Sequence, residues 1–168
     1  MPIDYKALAK EFPRTDWEWR VDGCGDKPKV WCRVVPYIQN RAIQERLDAV
    51  CGPNNWKNVF QRWGEKSQLC GISIYDESKG EWITKWDGAE DTNFQSTKGG
   101  LSSSMKRAAV QWGIGRHLYS QPFVYAECSD QKQKGWELAK YKTRGEAGKM
   151  IDKTLWWNPK DSKLTGAK

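Results

Sequence analysis

Between residues 55 and 88 three runs of extended character, "NWKNVFQRW", "QLCGISIYD" and "EWITKWDG", are joined only by "GEKS" and "ESKG". Parallel strands need a crossover of about a dozen residues or more. Linkers this short therefore predict an antiparallel meander closed by hairpin loops. Directly after it comes "GGLSSSMKRAAVQWGIG", residues 99–115. Its Leu101, Met105, Ala108 and Trp112 fall at i, i+4, i+7 and i+11, one face of a helix. Upstream, "DWEWRV" alternates Trp17, Trp19 and Val21 against Glu18 and Arg20, as a strand does. "DGCGDKP" reads as a turn, and "KVWCRVV" as a second strand with Lys29, Trp31 and Arg33 on one face. In "YIQNRAIQERLDAV" the residues Ile38, Ala42, Ile43, Leu47 and Val50 have helical spacing, with Gly52 as the predicted C-cap. "IDYKALAKE" predicts a short helix stopped before Pro13. The order α-β-β-α-β-β-β-α predicts an α+β fold in which helices cover an antiparallel sheet.

After Pro122 the patterns weaken. "GWELAKYKTRGEAGKMIDKTLWWNPKDSKLTGAK" is basic, glycine-punctuated and short of aliphatic residues, and is expected to be partly helical with a flexible end. The predicted division is a domain over 1–122 and a basic extension over 123–168. Charge follows the same line. Residues 1–128 hold 18 Lys+Arg and 16 Asp+Glu, residues 129–168 hold 10 and 5, and the chain carries +7. Such an excess suits a polyanionic partner and equally a solvated tail. No apolar run approaches the roughly 20 residues of a membrane span, and "MPIDYKALAKEFPRTDW" lacks the apolar core of a signal peptide. An intracellular protein is expected. Cysteines 24, 32, 51, 70 and 128 are widely spaced, with no CxxC pair and a single histidine, His117. That pattern predicts reduced, mostly buried thiols rather than a zinc site or a disulfide framework.

Most catalytic chemistry lacks its residues. "WGEKSQ" at 63–68 has neither the upstream glycine nor the Gly-Lys-Ser order of a phosphate loop, so no ATP site is expected. One histidine leaves little choice of general base. Asp87, Glu90 and Asp91 in "WDGAEDTN" could hold a divalent metal for nuclease chemistry, or form a polar loop in which Asp91 or Thr92 caps the following helix. Lys106 and Arg107 are adjacent, about 100° apart on a helix, and flank its apolar stripe. Lys98 and Ser102 share the side of Lys106. Small residues let a backbone approach closely, and hydroxyls and helix N–H groups donate to phosphate. The stretch therefore reads either as a phosphate groove or as a packed helix with a solvated basic turn. The eleven tryptophans exceed ordinary usage and suit a core, stacking platforms or subunit contacts.

"TKGGLSSSMKRAAVQWGIGRHLY", preceded by "WDGAEDTN", resembles the signature of the Rad52/Rad22 family of single-strand annealing proteins, in particular its short phage and prophage branch. "EWRVDG", "KVWCRVVPYIQNRAIQERLDAVCGPNNW" and the meander fall in the family's order, so the resemblance spans roughly residues 5–120. It implies a β-β-α-β-β-β-α core assembling into a homo-oligomeric ring in the bacterial cytoplasm. It also implies binding of single-stranded DNA and annealing of complementary strands in recombination or double-strand-break repair, with no ATP, no cofactor and no catalysis. By the resemblance Lys106 and Arg107 line an inner DNA groove, Arg20 matches the basic residue ending the first strand, and Lys66 is the nearest match to an outer DNA site. Lys98, Lys29 and Arg33 are added from helix and strand geometry. Long eukaryotic members bind a recombinase and a single-strand binding protein through a C-terminal half that has no counterpart here, and a single-strand binding protein stays a candidate partner. Two alternatives remain: a metal-dependent nuclease using Asp87, Glu90 and Asp91, and a scaffold whose basic tail binds nucleic acid nonspecifically.

Overall fold

The computed structural model describes residues 2–91 and 96–166. In chain order it contains helix α1 (Tyr5–Leu8), strands β1 (Glu18–Gly25) and β2 (Trp31–Tyr37), helix α2 (Asn40–Cys51), strands β3 (Trp56–Trp63), β4 (Ser67–Asp76) and β5 (Glu81–Glu90), and helix α3 (Ser96–Gln111). Strands β6 (Val124–Ala126), β7 (Cys128–Ser129), β8 (Glu137–Arg144) and β9 (Met150–Trp157) follow, then helix α4 (Ser162–Thr165). The class is α+β and the strand pairings are antiparallel. The strands do not share one sheet, however. Among the described residues they form three sheets, ordered β1-β2-β6, β3-β4-β5 and β7-β9-β8. The chain divides into two compact units, Met1–Phe12 with Ile38–Ser120, and Pro13–Tyr37 with Gln121–Lys168. Strands β1 and β2 thus group with the C-terminal strands, a division that differs from one at residue 122.

The first unit holds the meander. β4 pairs with β3 from Trp56↔Ile74 to Trp63↔Ser67, and with β5 from Ser67↔Glu90 to Asp76↔Glu81. Its Cys70, Ile72 and Ile74 are buried on one face. Met105, Ala108, Ala109 and Trp112 of the α3 segment are buried too, and the Trp112 Nε1–H donates to the Ile72 carbonyl at 2.9 Å. The small residues of α3 serve this close approach. A Cβ at Gly100 would run into the Asp91 carboxylate and come within 3.0 Å of Gln68. Ser104 is fully buried, its hydroxyl turned back to the Leu101 carbonyl at 2.9 Å. Helix α2 buries Ile43 and Leu47 and ends at Gly52 (φ 83), whose N–H donates to Asp48, as the sequence predicts. The expected helix over 3–11 is only one turn. Asp4 caps its start, and Arg46 collects the carbonyls of Ala7, Leu8 and Lys10 at 3.2, 3.0 and 2.6 Å where the chain leaves it.

The other face of this sheet carries Val59, Trp63, Trp82 and Trp86, with Trp63 66% and the other two tryptophans 41% exposed. Trp86 lies flat over Gly71, where a Cβ would be 2.8 Å from the indole ring. Trp82 packs on Tyr75 with ring centroids 5.4 Å apart, and the Lys57 Nζ sits 4.3 Å from the Trp82 ring.

The second unit is built around Cys32, Val34, Ala126, Ala139, Leu155, Trp157 and Leu164, with Trp19, Val21 and Tyr141 packed against them. "DGCG", expected as a turn, is strand: β1 runs through an irregularity between Val21 and Gly23 to Gly25. The glycine is needed there because the Trp31 indole crosses it, with Nε1 2.8 Å from where a Cβ would stand. Arg20 is therefore inside β1 rather than at its end, and Lys29 precedes β2 rather than sharing its face. The stretch expected to be partly helical is mostly the β8–β9 hairpin, closed at Gly145–Lys149 by the Gly145 N–H donating to the Lys149 carbonyl at 2.9 Å, and its helical part is the single turn α4. The five cysteines are unpaired. Burial pushes the thiols of Cys32 and Cys70 up to about 12 and that of Cys51 to about 11. Among the described residues no helix is long and apolar enough to cross a membrane.

Candidate nucleic-acid interface

Clamped to the sheet by its apolar stripe, α3 turns Lys106 and Arg107 away from the core. The Lys106 Nζ donates to the Ser102 hydroxyl at 3.3 Å, one turn earlier. The Arg107 side chain is 53% exposed, and its Nε–H donates to the Asp87 carboxylate at 3.1 Å. Asp87 faces α3 from β5 and also accepts from the Gln111 amide at 3.0 Å and the Gly88 N–H at 2.7 Å. Burial opposes its ionisation, but the hydrogen bonds from Gln111, Gly88 and Arg107, with the Arg107 charge, outweigh burial and hold the carboxyl below its usual range. A fixed carboxylate thus grips the guanidinium by Nε. Among the described residues the two terminal amino groups of Arg107 take no acceptor, and a guanidinium presented in this way suits phosphate.

Lys66 and Lys98 gather near the start of the same helix. Lys66 is exposed in the β3–β4 turn, and its carbonyl accepts the Asp91 N–H at 2.7 Å. The Asp91 carboxylate pairs with Arg62 at 3.2 Å, accepts from Gln68 at 3.4 Å and abuts Gly100, two residues beyond the exposed Lys98. Thr92, the other cap considered, lies outside the described residues. Arg62 is a cation that sequence reasoning did not single out. Only strand register could have shown that it reaches Asp91.

The remaining three residues belong to the second unit. Arg20 is exposed on β1 opposite Val35, on the face that also carries Trp31 and Arg33. Arg33 is engaged structurally: it pairs with Asp22 at 2.7 Å and stands 4.4 Å from the Phe123 ring centroid. Trp31 meets Tyr125 edge-on at 6.3 Å. Lys29 is exposed ahead of the strand. The seven residues thus fall into two sets, Lys66, Lys98, Lys106 and Arg107 in one unit and Arg20, Lys29 and Arg33 in the other.

The three carboxylates considered for a metal are not gathered. Asp87 and Asp91 are each committed to a different arginine, and Glu90 points to the opposite face of β5. Among the described residues no group of three His, Cys, Asp or Glu side chains is placed to hold an ion.

Residues 5–137 match the Rad52/22 family of double-strand break repair proteins, and the chain belongs to that family. It is similar to the single-stranded DNA-binding protein DdrA of Deinococcus radiodurans, 29% identical over 134 residues that cover 76% of this chain and 60% of DdrA. The DdrA of Deinococcus deserti is 31% identical over 134 residues, covering 76% of this chain and 62% of that protein. The chain therefore spans about three fifths of the length of the curated relatives it matches.

Proposed function

We propose that this protein binds single-stranded DNA through its phosphate backbone and anneals complementary strands without nucleotide hydrolysis or any catalytic step, as a homo-oligomer forming a ring. The observation that carries the reading is the placement of Lys106 and Arg107 side by side on a helix clamped to the meander, in a chain of the Rad52/22 family. Lys66 and Lys98 extend that basic row in the same unit, and Arg20, Lys29 and Arg33 provide further cations in the other. Phosphate contacts position a strand without reading sequence, which leaves the bases open to test a partner. Binding is then sequence-blind and salt-sensitive. The exposed aromatic face with Trp63, Trp82 and Trp86 supports self-association, because apolar patches of this kind mark interfaces. The resemblance to the short phage and prophage branch supports an activity in recombination within a bacterial cytoplasm.

The test is a salt series of binding to fluorescent oligonucleotides together with an annealing assay without ATP. Lys106→Ala with Arg107→Ala should weaken binding for all sequences alike and lower the salt slope of log affinity by about 0.7 per lost contact. A folded double variant with unchanged affinity and slope would remove α3 from the interface. Annealing that starts only on addition of ATP would reject the nucleotide-independent mechanism.

A further inference from the structure

Strand alternation sorts the β8–β9 hairpin into two chemically different faces. Ala139 and Tyr141 point inward with Leu155 and Trp157, onto the core around Cys32 and Val34. Lys140, Lys142 and Arg144 therefore point outward in one row, opposite Thr154, Asp152 and Met150. Alternate residues of a strand recur about every 6.8 Å, so the row is an evenly spaced line of three cations, and the exposed Lys149 follows it in the turn. Little neutralises it. Lys142 meets Asp152 only at 3.9 Å with both side chains more than 70% exposed, and among the described residues no carboxylate pairs with Lys140 or Arg144. The hairpin is also held in place. Asp26 accepts from Thr143 at 3.1 Å and from Lys153 at 2.8 Å, and the Lys27 Nζ donates to the Arg144 carbonyl at 3.4 Å.

From this geometry we infer that the outward face of β8–β9 is a second nucleic-acid contact, separate from α3, in which Lys140, Lys142 and Arg144 hold successive phosphates of one DNA strand. The inference rests on the proposed single-strand binding. A regular row of exposed cations, of which only Lys142 meets a carboxylate and that at 3.9 Å in open solvent, fits a polymer with regularly repeating charge, and Arg144 adds a forked donor that suits phosphate.

Deleting residues 129–168 would not test this, because it strips Ala139, Leu155 and Trp157 from the core. Solvent-facing substitutions do. Lys140→Ser, Lys142→Ser and Arg144→Ser should together leave the melting temperature within about a degree of the unsubstituted protein, since none is packed. Binding to fluorescent oligo-dT should weaken, and the salt slope should fall by about 2, at about 0.7 for each of three contacts. Lys140→Arg with Lys142→Arg, which keeps the charge, should retain the slope. A folded triple variant with unchanged affinity and slope overturns the inference. So does a triple variant that binds DNA normally but loses binding to phosphatidylserine vesicles, which reassigns the face to a lipid surface. The α3 double variant separates the two proposals. Loss of binding there with no effect of the hairpin substitutions refutes only this inference. Failure of the unsubstituted protein to bind oligo-dT refutes the proposed function beneath both.

Discussion

Asp87→Asn keeps the size of the side chain that grips Arg107 and removes its charge. Two consequences follow with opposite signs. Stability should fall. The Arg107–Asp87 pair is half open to solvent on the arginine side, which limits its worth to about 0.2–1 kcal/mol. The asparagine amide cannot accept from Gln111 through Nδ2, which loses one hydrogen bond worth about 0.5–1.5 kcal/mol. The expected loss is about 1–2 kcal/mol, or a melting temperature lower by about 3–6 °C at this chain length. The folded carboxyl lies below its ordinary value, so its stabilisation is fully present above the unfolded pKa of about 3.9 and is lost as pH falls through the folded value. The two proteins should therefore differ by a constant amount near neutrality and converge below about pH 4. DNA binding should strengthen. A carboxylate about 7 Å from a bound phosphate repels it by about 0.6 kcal/mol in water, so its removal raises affinity up to about threefold at low salt, and less at 0.15 M. Scanning calorimetry over pH and fluorescence anisotropy over salt read both effects. A stably folded variant whose affinity and salt slope stay the same would show that Arg107 does not face the DNA, and a fall would refute the predicted gain and show that the grip of Asp87 on Arg107 outweighs its repulsion of phosphate. Magnesium-dependent cleavage of single strands that disappears in the variant would instead favour the nuclease.

Trp112→Ala should behave differently from either basic substitution on α3. It empties a buried indole site and removes the Nε1–H bond to the Ile72 carbonyl, at about 3–5 kcal/mol, so loss of the folded form by circular dichroism at moderate temperature is expected, and a melting temperature within a few degrees of the parent would contradict the packing described. Trp63→Ser with Trp86→Ser should shift light scattering at micromolar concentration from an oligomer to the 19.4 kDa monomer without unfolding the chain. An undiminished oligomer would place the subunit contact elsewhere.

Much of the meander was legible because its signals are local. Short loops closed by Gly64 and Gly80 at positive φ force neighbouring strands to pair, and Gly52 ends α2 within the same window that predicts the helix. The β8–β9 hairpin was missed because β8 places only one fully buried residue, the small Ala139, inward. Ala139, Tyr141 and Thr143 alternate with lysines and arginine, and the apolar partners that make Ala139 a core residue, Cys32 and Val34, lie a hundred positions away. The glycines of "DGCG" misled for a related reason. Gly25 is there to let the Trp31 indole pass, a demand made by the neighbouring strand rather than by a turn. At the site the Lys106–Arg107 pair stood out in sequence, while its hold on Asp87 depends on the register between β4 and β5 and on where α3 crosses them.

The division of the chain also bears on how it reaches this state. The pairing of Val34 with Val124 joins residues between which nearly all of the first unit intervenes. Closing so long a segment as a coil is slow, because its entropy is lost before any contact repays it. Forming the meander and α3 first would turn that coil into a compact insert with a far shorter effective span. During synthesis β1 and β2 must then wait, with Cys32 and Val34 uncovered, until Leu155 and Trp157 leave the ribosome, and in that interval an emerging chain is most open to pairing with a neighbour rather than with itself.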